Sequence, residues 1–155
     1  MDCGALVLWM GLIFSLSTAS FSSAQTEPLI TSLYSQVMPW FAALNIETAD
    51  LLIRKLAHLS EYFIFGFLVS HVLQKRSGLR SVRQIPLAIT CGIIYAISDE
   101  LHQSFVPSRT ASTMDVLLDT IGFICGSFCF YTSVSILQSK TGHANTSPIR
   151  TKNTP

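Results

Sequence analysis

The chain has 155 residues, enough for one domain, and its formal net charge of +1 gives no electrostatic basis for a nucleic-acid partner. Hydrophobic residues make up 49% and charged residues only 12%, against about 25% charged in an ordinary soluble domain, so the composition predicts a membrane protein. The four cysteines lie in or beside apolar runs without a CxxC pair, and we interpret them as buried, unreactive thiols.

Four apolar segments follow one another along the chain, and each approaches the roughly 20 residues that a helix needs to cross a bilayer core. They cover residues 4–21, 56–73, 85–105 and 116–137. We therefore predict an all-α fold, a four-helix transmembrane bundle, as one domain over residues 1–137. Residues 138–155 are rich in Thr, Ser, Asn and Pro, which predicts a disordered cytoplasmic tail.

The first segment has two interpretations, a retained helix or a signal peptide. Ser22, Ser23 and Ala24 follow the apolar run and would suit a cleavage site. However, no Lys or Arg precedes the run and Asp2 is acidic, whereas a signal peptide begins with a basic region. We expect the helix to be retained, with cleavage as the alternative.

The connection to the second segment contains Leu29, Leu33 and Val37 at helical spacing, followed by Trp40. This pattern is typical of a short amphipathic helix that lies on the membrane surface with an aromatic ring at headgroup depth. We predict such an interfacial helix in the first external loop.

The basic residues are unevenly distributed between the connections, which predicts the orientation of the segments. Seven of the ten lie in the loop after the second segment or in the tail, namely Lys75, Arg76, Arg80, Arg83, Lys140, Arg150 and Lys152. With four spans, that loop and both termini must lie on one side, and the excess of Lys and Arg makes this side cytoplasmic.

Ionisable residues concentrate at the opposite, outward-facing ends of three segments. At mid-bilayer such a group costs at least ~2.5 kcal/mol, so each is a candidate functional residue. They are Arg54, Lys55, His58 and Glu61, then Asp99, Glu100, His102 and Arg109, and finally Asp115 and Asp119. Because the three groups lie at the same depth, they predict a single polar site.

In the second segment, Lys55, His58, Glu61 and Tyr62 fall on one helical face. Snorkelling would explain a single Lys, and a hydrogen bond to a neighbour would explain a single His. Neither explains a His-x-x-Glu pair inside a span, because Glu61 has no water there and must be paired or protonated.

The third segment ends with a second polar group. Asp99, His102 and Gln103 share a face, and Glu100 is rotated by about a quarter turn, near enough to line the same cavity. Arg109 follows in a short connection, and its planar fork suits a carboxylate or a phosphate. We expect Arg109 to pair with a carboxylate of this site, and otherwise to bind a phosphate.

The fourth segment begins with Asp115, which either caps the helix or belongs to the site. Asp119 lies one turn deeper and cannot be explained as a cap. Both acids share a stripe with Gly122 and Gly126, and a Gly-x-x-x-Gly spacing allows two membrane helices to approach closely.

These residues together resemble the VanZ-like family of small integral membrane proteins, over about residues 8–130. The matching elements are Leu8-Trp9-x-x-x-Ile13-Phe14-x-Leu16-Ser17, Arg54-Lys55-x-x-His58-x-x-Glu61-Tyr62-x-x-x-Gly66, Ser98-Asp99-Glu100-x-His102-Gln103-x-Phe105-x-Pro107-x-Arg109 and Asp115-x-x-x-Asp119-x-x-Gly122-x-x-x-Gly126. The resemblance implies a multi-pass protein of the bacterial inner membrane and, for the member that names the family, lowered sensitivity to teicoplanin. Asp119 departs from the family, where many members carry Asn.

One hypothesis for the function is an enzyme that acts on a lipid or an envelope precursor at the outer leaflet. The catalytic candidates, suited to general acid–base chemistry, are His58, Glu61, Asp99, Glu100 and His102. The substrate-binding candidates are Lys55, Tyr62, Gln103, Arg109, Asp115 and Asp119. A divalent metal such as Zn, Mn or Fe is a further expectation, held by His58 and Glu61 with His102 and either Asp99 or Glu100.

The alternative is a non-catalytic membrane protein that binds a lipid-linked precursor or a glycopeptide, or that serves as a scaffold for another envelope protein. Binding requires the same headgroup-facing charges as catalysis, so the sequence leaves these two hypotheses open. A proton-coupled carrier is disfavoured, because the cytoplasmic halves of the segments lack the polar residues of a through path.

Overall fold

Helices account for nearly all of the chain that the structure, a computed structural model, describes: residues 3–18, 32, 35, 46–77, 81–107 and 112–144. The helices are α1 (Cys3–Leu16), α2 (Ile46–Ser77), α3 (Ser81–Ser104) and α4 (Thr113–Ala144). No strand occurs among the described residues. The predicted all-α bundle is therefore confirmed.

The second and fourth helices are longer than their apolar segments. α2 begins ten residues before the apolar segment, because residues 46–55 are rich in helix-forming Leu, Ala, Glu, Lys and Arg. The acidic side chain of Glu47 is favourably placed in the first turn of the helix. α4 continues to Ala144, so residues 138–144 are helical where a disordered tail was expected. Residues 145–155 lie outside the described part of the chain.

The predicted interfacial helix falls almost entirely on residues that the structure does not describe. Ser32 and Ser35 are the exceptions within it, and both are helical. The Ser35 hydroxyl donates a hydrogen bond of 2.7 Å to the Ser32 carbonyl. The amphipathic character of this segment stays a prediction.

Glycines bring α2 and α4 together more closely than any other pair of helices. A Cβ atom on Gly122 would lie only 2.5 Å from the Leu59 carbonyl oxygen, and one on Gly126 would lie closer still to the Phe63 carbonyl. The predicted Gly-x-x-x-Gly contact is thus formed, with the glycines of α4 against the backbone of α2.

Aromatic side chains fill the core between the three long helices. Tyr62, Phe65 and Phe123 are buried, and the rings of Phe65 and Phe123 meet edge to face at 5.3 Å. Gly92 of α3 faces the Phe123 ring so closely that a Cβ atom there would overlap it. The core thus depends on large rings opposite small residues.

The outside of the bundle is apolar along every helix. Leu56, Ile94, Leu117 and Phe128 are each more than half exposed. In a thin bundle most apolar positions must face outward, and this surface suits lipid tails rather than water. The four cysteines are also at least partly exposed on this surface, so the prediction that they are buried was wrong. All four are free thiols.

Two of the described helices contain segments long and apolar enough to cross a bilayer, Glu47–Arg76 and Thr113–Ser139. The 14 residues of α1 extend only about 21 Å at ~1.5 Å per residue, less than the ~30 Å of a hydrocarbon core.

The helices alternate in direction, as cross-helix contacts at the two ends indicate. At one end Ser17, after α1, contacts Asp99 near the end of α3, and Lys55 of α2 contacts Asp115 at the start of α4. At the other end the Tyr131 hydroxyl meets Gln84 at 3.5 Å. The ionisable residues therefore gather where α3 ends and α4 begins.

Candidate functional site

Three ionisable side chains from three helices meet at the centre of this polar end: His58 from α2, Asp99 from α3 and Asp119 from α4. One nitrogen or oxygen atom of each lies within 4.8 Å of the other two. Asp119 is completely buried and Asp99 is 3% exposed. The predicted convergence of the three helices on one polar site is thus present, and we name these three residues the central cluster.

Asp99 is held in place through both of its carboxylate oxygens. The Ser17 hydroxyl donates to Oδ1 at 2.5 Å, and the Gln103 side-chain amide, one turn further along α3, donates to Oδ2 at 3.1 Å. Two donors on one buried carboxylate fix its direction. The arrangement leaves further lone pairs of Asp99 directed into the central cluster.

Other polar atoms at the cluster are buried without a hydrogen bond of acceptable geometry. They are Nδ1 of His58, both carboxylate oxygens of Asp119 and the hydroxyl of Tyr62. His58 Nδ1 and Asp119 Oδ1 are 3.5 Å apart. Leaving one such group unsatisfied costs about 1–3 kcal/mol, so these atoms could each accept a further partner.

A salt bridge closes one side of the site. Lys55 Nζ lies 2.9 Å from Asp115 Oδ1, and the two side chains are 38% and 28% exposed. The helix cap is instead Ser112, whose hydroxyl accepts the backbone N–H of Met114 at 3.2 Å. Of the two interpretations of Asp115, the structure therefore favours a site residue.

Glu100 connects the end of α3 to the start of α4. Its Oε1 accepts the backbone N–H of Ser112, and its buried Oε2 has no hydrogen-bond partner among the described residues. Glu100 thus lies at the rim of the site, where a free carboxylate oxygen stays available.

Glu61 and His102 lie outside the central cluster. The backbone carbonyl of Glu61 accepts the Trp9 indole N–H at 3.0 Å, and its carboxylate is close enough to His58 to interact electrostatically. The His102 ring stacks on Phe14 of α1 at 4.2 Å. The expected metal ligands His58, Glu61 and His102 therefore do not all lie together, because His102 of α3 faces α1 and not the central cluster.

Arg109 lies outside the described residues, so its predicted pairing with a carboxylate stays a prediction. The roles of the remaining candidates as catalytic or substrate-binding groups likewise stay predictions, although the structure brings most of them within the same end of the bundle.

An apolar cavity of about 390 Å³ opens beside the polar site, between α1, α2 and α3. The ring of Tyr62, whose hydroxyl belongs to the polar site, lies 6.3 Å from the ring of Tyr95, which lines the cavity. Ser98, the neighbour of Asp99, also lines it. Other lining residues include Leu6, Met10, Phe65, Val69 and Cys91.

A family model of VanZ/LLP1 matches residues 3–137. The chain belongs to the VanZ/LLP1 family. Neither a comparison with curated proteins nor one with solved structures gives a match. The apolar helices agree with this membership, so the molecule is a VanZ-like membrane protein.

In this VanZ/LLP1 protein, the four sequence elements that resemble the family meet at one site. They contribute Ser17 from the first element, His58 from the second, Asp99 from the third and Asp119 from the fourth. Ser17 was not among the candidate site residues. It is the last residue of the first element that resembles the family, and this position could have indicated a role at the site. The contact of Ser112 with Glu100 had no such signal, because it is made by a backbone N–H.

Proposed function

We propose that this VanZ/LLP1 protein binds a lipid-linked precursor of the cell envelope within the membrane. The polar headgroup would contact the central cluster, and the hydrocarbon chain would occupy the neighbouring apolar cavity. The observation that carries the proposal is this adjacency. The Tyr62 ring lies beside Phe65 and Tyr95, which line the apolar cavity. Its hydroxyl is among the unsatisfied polar atoms of the site, together with those of His58 and Asp119.

A lipid matches this division better than a water-soluble ligand does. A ligand site usually combines an apolar lining with a few convergent polar groups. Here the apolar part is lined by side chains such as Leu6 and Val69, and the bundle around it has an apolar surface. A molecule reaching the site from the bilayer would keep its chain in hydrocarbon throughout.

The proposed orientation places the polar end of the bundle at the outer leaflet and both termini in the cytoplasm. The distribution of Lys and Arg supports it, since the end of α2, the start of α3 and the connection between them carry Lys75, Arg76, Arg80 and Arg83. The alternating helix directions are compatible with it. In a bacterium, this orientation exposes the site to precursors on the outer face of the inner membrane.

The site also offers groups for a chemical step on the bound precursor. His58 lies between carboxylates and could move a proton, while Glu100 has one carboxylate oxygen without a hydrogen bond. Binding without a chemical step is the second candidate, because the same groups would hold a headgroup. Detection of a converted product separates the two.

Native mass spectrometry of the purified protein tests the proposal with defined probes. A polyprenyl phosphate and the polyprenyl alcohol of the same length would be added in detergent, and the retained lipid measured. We expect both lipids to be retained through the chain that they share, and the difference between them measures what the phosphate contributes. Cys91→Phe should reduce retention, because this exposed residue lines the cavity and a ring there would occupy it.

Cys125→Phe is the matched control. Cys125 is also an exposed cysteine but does not line the cavity, so retention should stay at the level of the native protein. Equal losses in the two variants would contradict the cavity as the chain site. Retention of neither probe would leave the scaffold hypothesis, in which the protein alters glycopeptide sensitivity without holding a lipid.

A further inference from the structure

We propose that His58, Asp99 and Asp119 bind one divalent cation of the kind that accepts both nitrogen and oxygen ligands, Zn²⁺ or Mn²⁺. This inference goes beyond lipid binding and does not depend on it. It differs from the set expected from sequence, because Asp119 takes the place of Glu61 and His102. Three observations support it: the charge of the cluster, its spacing, and its unsatisfied atoms.

The charge of the central cluster requires compensation. Asp99 and Asp119 are 3% and 0% exposed and their carboxylates approach each other within 4.8 Å. Two buried carboxylates this close cannot both stay ionised without a counter-charge. Lys55 does not supply it, because its ammonium group is paired with Asp115. A protonated His58, whose Nδ1 is 3.5 Å from Asp119 Oδ1, would offset one of the two charges, whereas a divalent cation would balance both at once.

The spacing of the ligand atoms also suits a metal. His58 Nδ1 and Asp119 Oδ1 are 3.5 Å apart without a good hydrogen bond. Ligands about 2.1 Å from a tetrahedral Zn²⁺ lie about 3.4 Å from each other, so this pair already has the separation of two ligands of one ion. The three ligand atoms of the whole group lie within 4.8 Å of one another, so they would approach each other further around a bound ion.

The surroundings of the cluster resemble the supporting groups of a metal site. Ser17 and Gln103 each donate to one oxygen of Asp99 and fix its direction, as groups behind a metal ligand commonly do. The Tyr62 hydroxyl is completely buried beside the two aspartates and has no hydrogen bond of good geometry. It can donate to a carboxylate or to a water bound by the ion.

The donor set defines the class of cation. One imidazole and two carboxylates form a mixed nitrogen and oxygen set, which suits Zn²⁺ or Mn²⁺ better than Mg²⁺, an ion that prefers oxygen alone. With three protein ligands, the ion would keep an open position. That position is where an anionic group such as a phosphate could approach an otherwise acidic site.

Metal content of the full-length protein tests this inference without any lipid. The protein would be purified in detergent, stripped with a chelator, exposed to ZnCl₂ or MnCl₂ alone, desalted and analysed by mass spectrometry of the elements. We expect about one ion per chain, and at least a ~10-fold loss in His58→Gln and in Asp119→Asn, as for disruption of a metal site.

Glu47→Gln is the matched control, because it removes an exposed carboxylate of α2 far from the cluster and should leave the metal content unchanged. Variants that fail to fold are identified by gel filtration. If a variant does not fold, the test uses the native protein. An ion that binds only the folded state must raise the unfolding midpoint of the native protein above its value in the presence of chelator. Native protein with neither bound metal nor this shift would overturn the inference and leave two carboxylates sharing a proton.

Discussion

The close contact of α2 with α4 makes alanine at the contact glycines a sharp test of the packing. A Cβ atom on Gly122 would lie 2.5 Å from the Leu59 carbonyl oxygen, whereas ordinary contact begins at 3.4 Å, so the helices must separate locally by about 0.9 Å. A gap of that size removes roughly a quarter to a half of the dispersion attraction between facing atoms. Gly126 faces the Phe63 carbonyl more closely still.

Overpacking of this kind typically destabilises a protein by ~1–3 kcal/mol. The higher helix propensity of alanine than of glycine offsets at most about 1 kcal/mol of this loss. We expect Gly122→Ala to lower the free energy of unfolding by about 1–2 kcal/mol and Gly126→Ala by more, near the upper end of the overpacking range. The assay is SDS titration in mixed micelles, followed by tryptophan fluorescence.

Gly11→Ala is the internal control for the glycine series. Gly11 lies inside α1, and a Cβ atom there would meet nothing within 4 Å, so this variant should be neutral or slightly stabilising. The reasoning is refuted if Gly122→Ala and Gly126→Ala unfold within about 0.5 kcal/mol of Gly11→Ala, because the backbone contact would then have no energetic consequence.

Two further predictions concern the polar end and the orientation. Ser17→Ala should lower the free energy of unfolding by about 1 kcal/mol in the same titration, because it removes a buried hydrogen bond to Asp99. Ser15→Ala is the control and should change little, because the exposed Ser15 hydroxyl bonds to the Gly11 carbonyl of its own helix. Equal effects would show that the Ser17 contact is not formed. A reporter that is active only outside the cytoplasm should be inactive when fused after Lys140, and activity there would contradict the proposed orientation.

The sequence predicted the fold well because the signals involved were local. Apolar length set the helices, and the Gly122-x-x-x-Gly126 spacing identified a close contact before its partner was known. Helix ends were less predictable, since hydropathy marks where a segment becomes polar and not where it stops being helical. The extension of α4 to Ala144 illustrates this difference.

The composition of the site was only partly predictable, because rotation of a helix decides which polar side chain faces inward. His102 and Asp99 lie on one side of α3, yet His102 stacks on Phe14 while Asp99 joins His58 and Asp119. A one-residue difference on a helix is about 100°, so membership of a compact cluster depends on tertiary packing that periodicity cannot give. Asp119 stands where many members of the family carry Asn, yet it is the most deeply buried acid among the described residues.

The helices of the central cluster also meet away from it, and this bears on its purpose. α2 and α4 already meet through Gly122 and Gly126, whose contacts with the Leu59 and Phe63 carbonyls need no polar side chain. Hydrogen bonds between membrane helices contribute on average only about 0.6 kcal/mol, whereas each unsatisfied buried polar group costs about 1–3 kcal/mol. A network kept for stability alone would not leave both oxygens of Asp119 without a donor. A ligand that satisfied these atoms would recover that cost, and this supports the proposal that the polar end of the bundle binds one.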